Sequence, residues 1–409
     1  MTLVKPHSEN YYLDIKFGAG KSTTKNPSQI FKMLTPIDEL YIIQDMHRFL
    51  PTFRLKMQDL ERYYSNLFPF DERQHKLQIM FNRNSDVENS SVFEFDILRR
   101  YPSSDSLYDI SGVLQIDNLF KPGKVRGFSG NVRDNLITIA AELGITETDI
   151  SSSLDFDQNF IQPSWSNSKL LKYLRDNLIG NQDVAGYFCY IIPKQTLNGM
   201  KKVFVFKSLE EFYKQKVKYT FSDTPTPAYD NSANTFYYPI LDYKAFDNRL
   251  LETNGCRKLD YDYYDYDTGV YALDSVDIEA DKFYSLTEYF AIDQNSPDDN
   301  VSTTDQGRSN DFTPDFKGIN KSLLFKKIND FSKIWITTWG LEDIYLGDIV
   351  RLQFFKDITA MVSHQYHGFW MVERIVHVLG EKFGTRLLLT RNGINTTSDT
   401  MLLEASVRK

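Results

Sequence analysis

Residues 334–391 constrain the fold of this chain most strongly, because apolar and polar residues alternate along them. Every second residue of 349–355 is apolar, which is the pattern of a strand with one buried face. A second apolar segment covers 370–378, and a third follows a turn at 380–384. Asn392-Gly393 then predicts a reverse turn. The stretch therefore predicts a small antiparallel β-barrel.

Charged residues interrupt the second of these segments. Glu373, Arg374 and His377 lie among valines and isoleucines where uniform burial would require apolar side chains. A β-bulge or a solvated face at this position would accommodate them.

The same stretch carries a resemblance to a known family. The motifs W-G-L-E-D-I-Y-L-G-D-I-V-R-L, H-G-F-W-M-V-E-R-I-V-H-V and G-T-R-L-L-L-T-R-N-G resemble the second tube-forming barrel of bacteriophage tail hub proteins. That family includes the late-control-gene-D hub and the valine-glycine-repeat spike of type VI secretion. Six residues hold places that the family pattern specifies: Gly347, Asp348, Gly368, Trp370, Arg391 and, in the first barrel, Asp59.

The earlier part of the chain fits a first barrel. Alternating segments predict strands at 40–45, 52–59, 76–82, 91–99, 112–118 and 125–128. A helix is predicted at 131–143, with Asn131 as its cap and Gly144 as its end. Further elements are predicted after it: a second helix ending before Gly180, strands at 186–192 and 202–207, and a short helix at 209–217.

The expected fold class is a β-rich α+β, multidomain chain. It has two tube-type antiparallel β-barrels with a small α+β module and an acidic aromatic insert between them. The expected domains are an N-terminal segment with the first barrel at 1–130, the helix and module at 131–222, an insert at 223–330 with a mobile loop at 293–317, the second barrel at 331–397 and a tail at 398–409.

Bulk properties exclude several classes of protein. The chain has 409 residues and a formal net charge of -8, so it lacks the basic balance of a protein that grips nucleic acid by its phosphates. Its two cysteines, Cys189 and Cys256, form no CxxC pair, which argues against a disulfide framework or a cysteine zinc site. No secretory signal and no membrane anchor are predicted, so we expect synthesis in the host cell cytoplasm.

Three short motifs partly match known phosphate- or metal-binding sites, but each lacks a required residue or spacing. Gly18-Ala19-Gly20-Lys21-Ser22-Thr23 lacks the earlier glycine of a phosphate-binding loop, so a solvated loop is the better interpretation. The Asp/Tyr run at 259–269 misses the spacing of a calcium loop, and an exposed strand or turn is favoured over calcium binding. His364 and His367 have no third metal ligand at fixed spacing except His377, so exposed loop histidines are expected.

The resemblance implies a structural hub subunit and not an enzyme, with no catalytic residue, cofactor or metal. Two similar barrels in one chain would form a pseudo-six-fold ring as a homotrimer, joining a six-fold tail tube to a three-fold spike or tail tip. The implied partners are the tail tube protein, the spike or tail-tip protein, other baseplate proteins, the tape-measure protein and DNA in transit through the lumen. The implied location is the tail baseplate of a virion.

Two alternatives of other classes stay open. A tail-associated cell-wall hydrolase would need two carboxylates facing each other across a cleft, about 5 to 9 Å apart. A receptor- or carbohydrate-binding tail-tip protein would need exposed aromatic residues along a groove, and the Asp/Tyr run is the candidate for it.

Overall fold

The fold is β-rich with few helices, and most of its strands join one curled 15-stranded sheet. The computed structural model describes residues 11–19, 30–32, 37–58, 75–82, 90–102, 107–123, 125–196, 199–223, 228–230, 235–247, 258–265, 270–277, 286, 289–290, 304–305, 316–354, 366–380 and 382–394. The expected β-rich class is therefore confirmed.

The first half of the sheet comes from the N-terminal part of the chain. Its strands are β1 (Tyr12–Ala19), β2 (Ile30–Lys32), β3 (Ile37–Asp45), β4 (Thr52–Gln58), β5 (His75–Asn82), β6 (Ser91–Pro102) and β7 (Leu107–Leu114). They pair antiparallel in the order β3, β4, β7, β6, β5, β1, β2. In β4 every second side chain is buried, as its alternating sequence predicts. The hairpin of β3 and β4 is confirmed, whereas β1 and β2 were not predicted.

A small α+β unit follows. Its elements are β8 (Arg126–Phe128), α1 (Val132–Glu142), β9 (Glu147–Ile150), β10 (Phe160–Gln162), α2 (Asn167–Asn177), β11 (Tyr187–Thr196), β12 (Gly199–Ser208) and α3 (Leu209–Tyr213). The side chain of Asn131 accepts hydrogen bonds from two backbone amides of α1, so the predicted cap is confirmed. One expectation is wrong: β8 pairs with β10 instead of continuing the first sheet.

The C-terminal half supplies the remaining elements. They are β13 (Val217–Ser222), β14 (Ala228–Asp230), β15 (Thr235–Pro239), β16 (Asp242–Asp247), β17 (Lys258–Asp265), β18 (Val270–Asp277), β19 (Tyr289–Phe290), β20 (Thr304–Asp305), α4 (Phe316–Asn329), β21 (Ser332–Trp339), β22 (Ile349–Gln353), β23 (Gly368–Leu379), β24 (Gly384–Arg391) and β25 (Gly393–Ile394). The predicted helix 209–217 is shorter than expected, because the chain extends again at Val217 and pairs with β22.

The second half of the sheet bends back toward its own start. Strands β13, β22, β23, β24 and β21 follow one another by pairing. Residues 235–247 touch both ends of this series, since β15 pairs with β13 and β16 pairs with β21. In the short segment between β15 and β16, the amide of Ile240 donates to the carbonyl of Ser222 at 2.6 Å. The amide of Leu241 donates to the carbonyl of Thr337 at 2.8 Å.

Two hydrophobic cores lie on opposite sides of β11. Phe188, Tyr190 and Ile192 join the core under the C-terminal half of the sheet. Their neighbours Tyr187 and Ile191, with Cys189, join the core of the N-terminal half. Because side chains alternate along a strand, a strand buried on both faces can separate two cores. The small unit therefore packs between the two halves of the sheet.

Several expected features fall partly or wholly outside the described residues. Asp59, residues 20–23 and the tail 398–409 lie outside them, although Gly18 and Ala19 belong to β1. The expected mobile loop 293–317 overlaps the start of α4 at Phe316, so its C-terminal end was placed too late.

Two further expectations concern the Asp/Tyr run and Asn392-Gly393. Most of the Asp/Tyr run forms β17, paired with β18, so the strand is confirmed as one of its two expected structures, while residues 266–269 lie outside the described part. The turn predicted at Asn392-Gly393 is wrong, because the chain runs on into β25 and pairs with β19.

Candidate functional site

Strand β23 belongs to both halves of the sheet, and the motif residues cluster around it. Its start, at Gly368 to Met371, pairs with β22, and its later part, at Arg374 to Leu379, pairs with β3 along the same edge. On the opposite edge it pairs with β24, where the register shifts between Val372 and Arg374. The predicted bulge is therefore confirmed, and it lies where the partner strand changes from β22 to β3.

Gly347 makes the turn that leads into β22. Its φ of +83° lies in the left-handed region, where glycine avoids the clash that other residues make. Its amide donates to the carbonyl of Val372 at 2.8 Å, which fixes the turn against β23. A Cβ added at Gly347 would lie 2.3 Å from the ring of Phe212, so the site requires glycine for space as well as for conformation.

Asp348 closes the same turn. Its Oδ2 accepts a hydrogen bond from the amide of Tyr345 at 2.8 Å and lies 3.1 Å from the Nζ of Lys218. Its carbonyl accepts from the amide of Val372 at 2.9 Å. Burial raises the pKa of this carboxyl, and the positive charge of Lys218 opposes the shift only in part.

Trp370 and Arg391 form a buried stack beside the start of β23. The guanidinium carbon of Arg391 lies 3.9 Å from the centre of the Trp370 ring, a cation–π geometry. Arg391 is fully buried and its Nη1 donates to the carbonyl of His367 at 2.9 Å. The indole of Trp370 donates to the carbonyl of Tyr366 at 2.9 Å, and Gly368 takes a φ of +105° between them. The stack therefore fixes the chain where β23 begins.

The bulge carries a buried charged cluster. Glu373 is 2% exposed, and its carboxylate lies 2.9 Å from the Nζ of Lys333 on β21 and 3.3 Å from the Nε2 of His47, which follows β3. Lys333 also contacts Asp330 at 2.8 Å. Burial by itself raises the pKa of Glu373, but the bonds and charges of His47 and Lys333 outweigh it, and the pKa lies below its usual value.

A second ion pair reinforces the same junction. Arg374 Nη2 lies 2.7 Å from the buried carboxylate of Asp45, at the end of β3. The amide of Met46 donates to the carbonyl of Glu373 at 3.1 Å. Because these bonds join the β3 turn to the bulge of β23, they hold the two halves of the sheet at a fixed orientation.

Three side chains of this cluster are of types that bind metal ions, but the ammonium of Lys333 lies among them. Atoms of His47, Asp330 and Glu373 that could bind a metal lie within 4.8 Å of one another. The ammonium of Lys333 lies within 3.0 Å of both carboxylates and occupies the position a cation would need. The geometry is that of an ion-pair network, and we assign no metal to it.

A cleft of about 330 Å³ lies nearby, between α2 and α4. Eight of the described residues line it: His47, Arg175, Asp176, Phe188, Ile319, Ser322, Leu323 and Lys326. Asp176 is the one carboxylate among these eight, and its Oδ1 lies 2.7 Å from the Nζ of Lys326. The described lining therefore does not contain the pair of carboxylates that glycoside hydrolysis requires.

His364 and His367 were expected to be exposed loop residues, and this expectation is wrong for His367, which the structure describes. His367 is only 8% exposed, and its ring packs against Phe354 and faces that residue's backbone. His364 lies outside the described residues. His377 is buried beside Gln44, with 3.3 Å between their side-chain nitrogens, and burial lowers its pKa to about 3. The structure does not bring His367 and His377 into a common site.

Five of the six family-pattern residues are described, and all five lie around the start of β23 and the turn that precedes β22. The sequence did not identify His47, Lys333 and Asp45 as parts of the junction. Glu373 and Arg374 were visible as charges within an apolar strand. Their partners come from distant parts of the chain, so no local pattern could name them. None of the helices described is long and apolar enough to cross a membrane.

Comparison with solved structures shows the same fold in phage tail proteins. The tail protein of Neisseria meningitidis MC58 matches with a TM-score of 0.54 at 12% identity, covering 93% of this chain and 97% of that one. The 43 kDa tail protein of prophage MuSo2 from Shewanella oneidensis matches with a TM-score of 0.55 at 10% identity, covering 93% and 99%.

A VgrG complex from Francisella contains a chain with the same fold. A chain of the Francisella PdpA-VgrG complex matches with a TM-score of 0.51 at 7% identity, covering 93% of this chain and 58% of that one. No protein-family profile matches this sequence. No curated protein sequence matches it either.

Proposed function

We propose that this chain, which has the fold of phage tail proteins, is a structural baseplate hub subunit of a phage tail. The observation that carries the proposal is the junction at β23, where one strand belongs to two halves of a sheet that each enclose a core. The fold match extends over 93% of the chain and nearly the whole length of two tail proteins. Rigid coupling of two such halves suits a ring that keeps its shape under mechanical force.

In the proposed assembly each half of the sheet acts as one tube-type barrel. Residues 235–247 support this view for the second half, because they pair with the strands at both of its ends. Three chains would then present six barrels, so a homotrimer would match a six-fold tail tube on one side and a three-fold spike or tail tip on the other. We also propose that residues 1–130 contain the first barrel, with Asp59 in it, and that residues 331–397 form the second. The α+β module at 131–222 and the acidic aromatic insert at 223–330 lie between them in the chain.

The proposed role is structural rather than enzymatic, and it places the protein in the virion. The net charge of -8 suits a lumen through which DNA or a tape-measure protein passes without adhering. The tail tube protein, the spike or tail-tip protein and other baseplate proteins are the proposed neighbours.

Strand β16 offers a surface for contact between copies. Leu241, Tyr243 and Phe246 are 54%, 48% and 41% exposed, although they lie in or beside a strand of the sheet. Among the described residues β16 pairs only with β21, which leaves its other edge open. Exposed apolar side chains along an open strand edge mark a protein interface.

The first test is the native mass of the purified chain by light scattering, alone and with its tail tube protein. We expect a trimer in one of the two conditions. Tyr243→Glu should weaken the trimer by about 2 kcal/mol per interface, because it puts a charge into apolar contact. Ile137→Ser is the matched control, since Ile137 is 40% exposed on α1, far along the chain from β16.

The two parts of the proposal fail separately. A wild-type chain that stays monomeric with the tube protein present contradicts the hub assignment. A trimer that tolerates Tyr243→Glu contradicts only the interface at β16.

A further inference from the structure

The cleft between α2 and α4 has the features of a built binding site. Residues 319, 322, 323 and 326 follow the spacing of one helix face, so α4 turns a continuous wall toward the cleft. The last turn of α2 and the ring of Phe188 on β11 form the opposite side. A volume of about 330 Å³ falls within the range of small-ligand pockets.

Ser322 is the least expected residue in this wall. It is 2% exposed, and its hydroxyl makes no hydrogen bond to any described residue. A buried hydroxyl without a partner costs free energy, so natural proteins seldom retain one. The hydroxyl oxygen has less than 1 Å² of accessible surface, so a molecule in the cleft supplies the missing partner once the Ser322 side chain rotates toward it.

The charges of the cleft favour an anion as that molecule. Arg175 and Lys326 share the single carboxylate of Asp176, at 2.9 and 2.7 Å. Among the described residues that line the cleft, these two cations against one anion leave a positive excess. Burial lowers the pKa of Lys326 although Asp176 opposes the shift, so a second carboxylate would stabilise its charged form.

We propose that this cleft binds a carboxylate attached to an apolar or aromatic group. The carboxylate accepts hydrogen bonds from Ser322 and Lys326 and pairs with the excess charge of Arg175. The apolar group lies against Phe188 and Leu323. The same chemistry fits a free small carboxylate or an acidic side chain from a second copy of this chain.

The test uses the full chain and phenylacetate as probe, with neutral phenylacetamide for comparison, by calorimetric titration. We expect saturable binding of phenylacetate and at least 10-fold weaker binding of the amide, since hydrogen bonds to charged groups are the stronger ones. Ser322→Ala should weaken phenylacetate binding about 10-fold without unfolding the chain, because the hydroxyl supports no bond within it.

Lys326→Gln and Lys327→Gln form a matched pair on one helix. Lys327 is exposed and does not line the cleft, so only Lys326→Gln should weaken binding. Absence of saturable binding at about 10 mM phenylacetate, equal affinity for the amide, or an unchanged affinity in Ser322→Ala would overturn the proposal.

Light scattering with the probe present separates the two sources of the ligand. Dissociation of an assembled trimer by phenylacetate supports an acidic side chain from a second copy. Saturable binding that leaves the assembly unchanged supports a free carboxylate. The calorimetric result stands in either case, and it does not depend on the hub assignment.

Discussion

Replacing Glu373 by Gln should weaken the junction between the two halves of the sheet. The substitution keeps the size of the side chain and an oxygen that can accept hydrogen bonds, but it removes the charge. Lys333 then loses one of its two carboxylate partners, while His47 loses its ion pair with Glu373.

The magnitude follows from the burial of the two partners. Breaking a fully buried ion pair costs about 3 to 5 kcal/mol. The Lys333 side chain is 18% exposed and keeps Asp330, whose side chain is 42% exposed, so part of its charge stays compensated. We therefore expect Glu373→Gln to lower the free energy of unfolding by about 2 to 3 kcal/mol near pH 7.

The pH dependence identifies the charge as the cause. The pKa of Glu373 in the folded chain lies below the ordinary value of 4.5 for this carboxyl. A carboxyl with a lowered folded pKa stabilises the fold above its unfolded pKa, and this contribution is lost as the pH falls through the folded value. The difference between wild type and Glu373→Gln should thus be full above pH 4.5 and shrink below it.

Urea denaturation followed by tryptophan fluorescence measures this difference at a series of pH values. Glu94→Gln is the control, because Glu94 pairs with Lys202 at the surface with 47% of its side chain exposed, and the change should stay within about 0.5 kcal/mol. A Glu373→Gln effect as small as the control's, or one that persists undiminished at about pH 3, would refute the assigned role of the cluster.

Three further predictions concern single positions. Gly347→Ala should destabilise the chain by about 2 kcal/mol or more in thermal unfolding, because of its positive φ and the nearby ring of Phe212, whereas Gly127→Ala, with nothing within 4 Å of the added Cβ, should have little effect. Arg391→Met should cost about 2 kcal/mol and change the near-ultraviolet circular dichroism of the indole on which the guanidinium stacks; an unchanged spectrum would count against the stack. His377 is buried with a pKa of about 3, below the ordinary value of 6.5, so the unfolded chain binds a proton first and stability should fall by up to about 1.4 kcal/mol per pH unit as the pH drops below 6.5. His377→Gln should remove this slope between pH 6.5 and 5, and a slope that survives would exclude His377 as its source.

The sequence alone determined several of the local elements. Alternation in 52–58 predicted a strand with one buried face, and Asn131 predicted the start of α1. The interrupting charges at Glu373 and Arg374 predicted the bulge in β23. These features depend on neighbours in the chain, so their patterns are visible in a single sequence.

Other features could not be predicted because they depend on distant partners. Strand β8 satisfies the same alternation as its neighbours, yet it pairs with β10 and leaves the large sheet. His367 looked like a loop residue, and packing against Phe354 buries it. The wet face considered for Glu373 and His377 is also wrong, since both are at most 2% exposed.

The sequence by itself therefore determined the hairpin of β3 and β4, the cap of α1 and the bulge of β23, because side-chain periodicity and backbone capping are short-range effects. Only the tertiary structure decided that β23 is shared between two halves of a sheet and that β11 separates two cores. Charges such as Glu373 and Lys333 are 40 residues apart in the chain and meet only after the strands pair. Burial then removes water from between them, which is why the fold, and not the local sequence, gives their contact its strength.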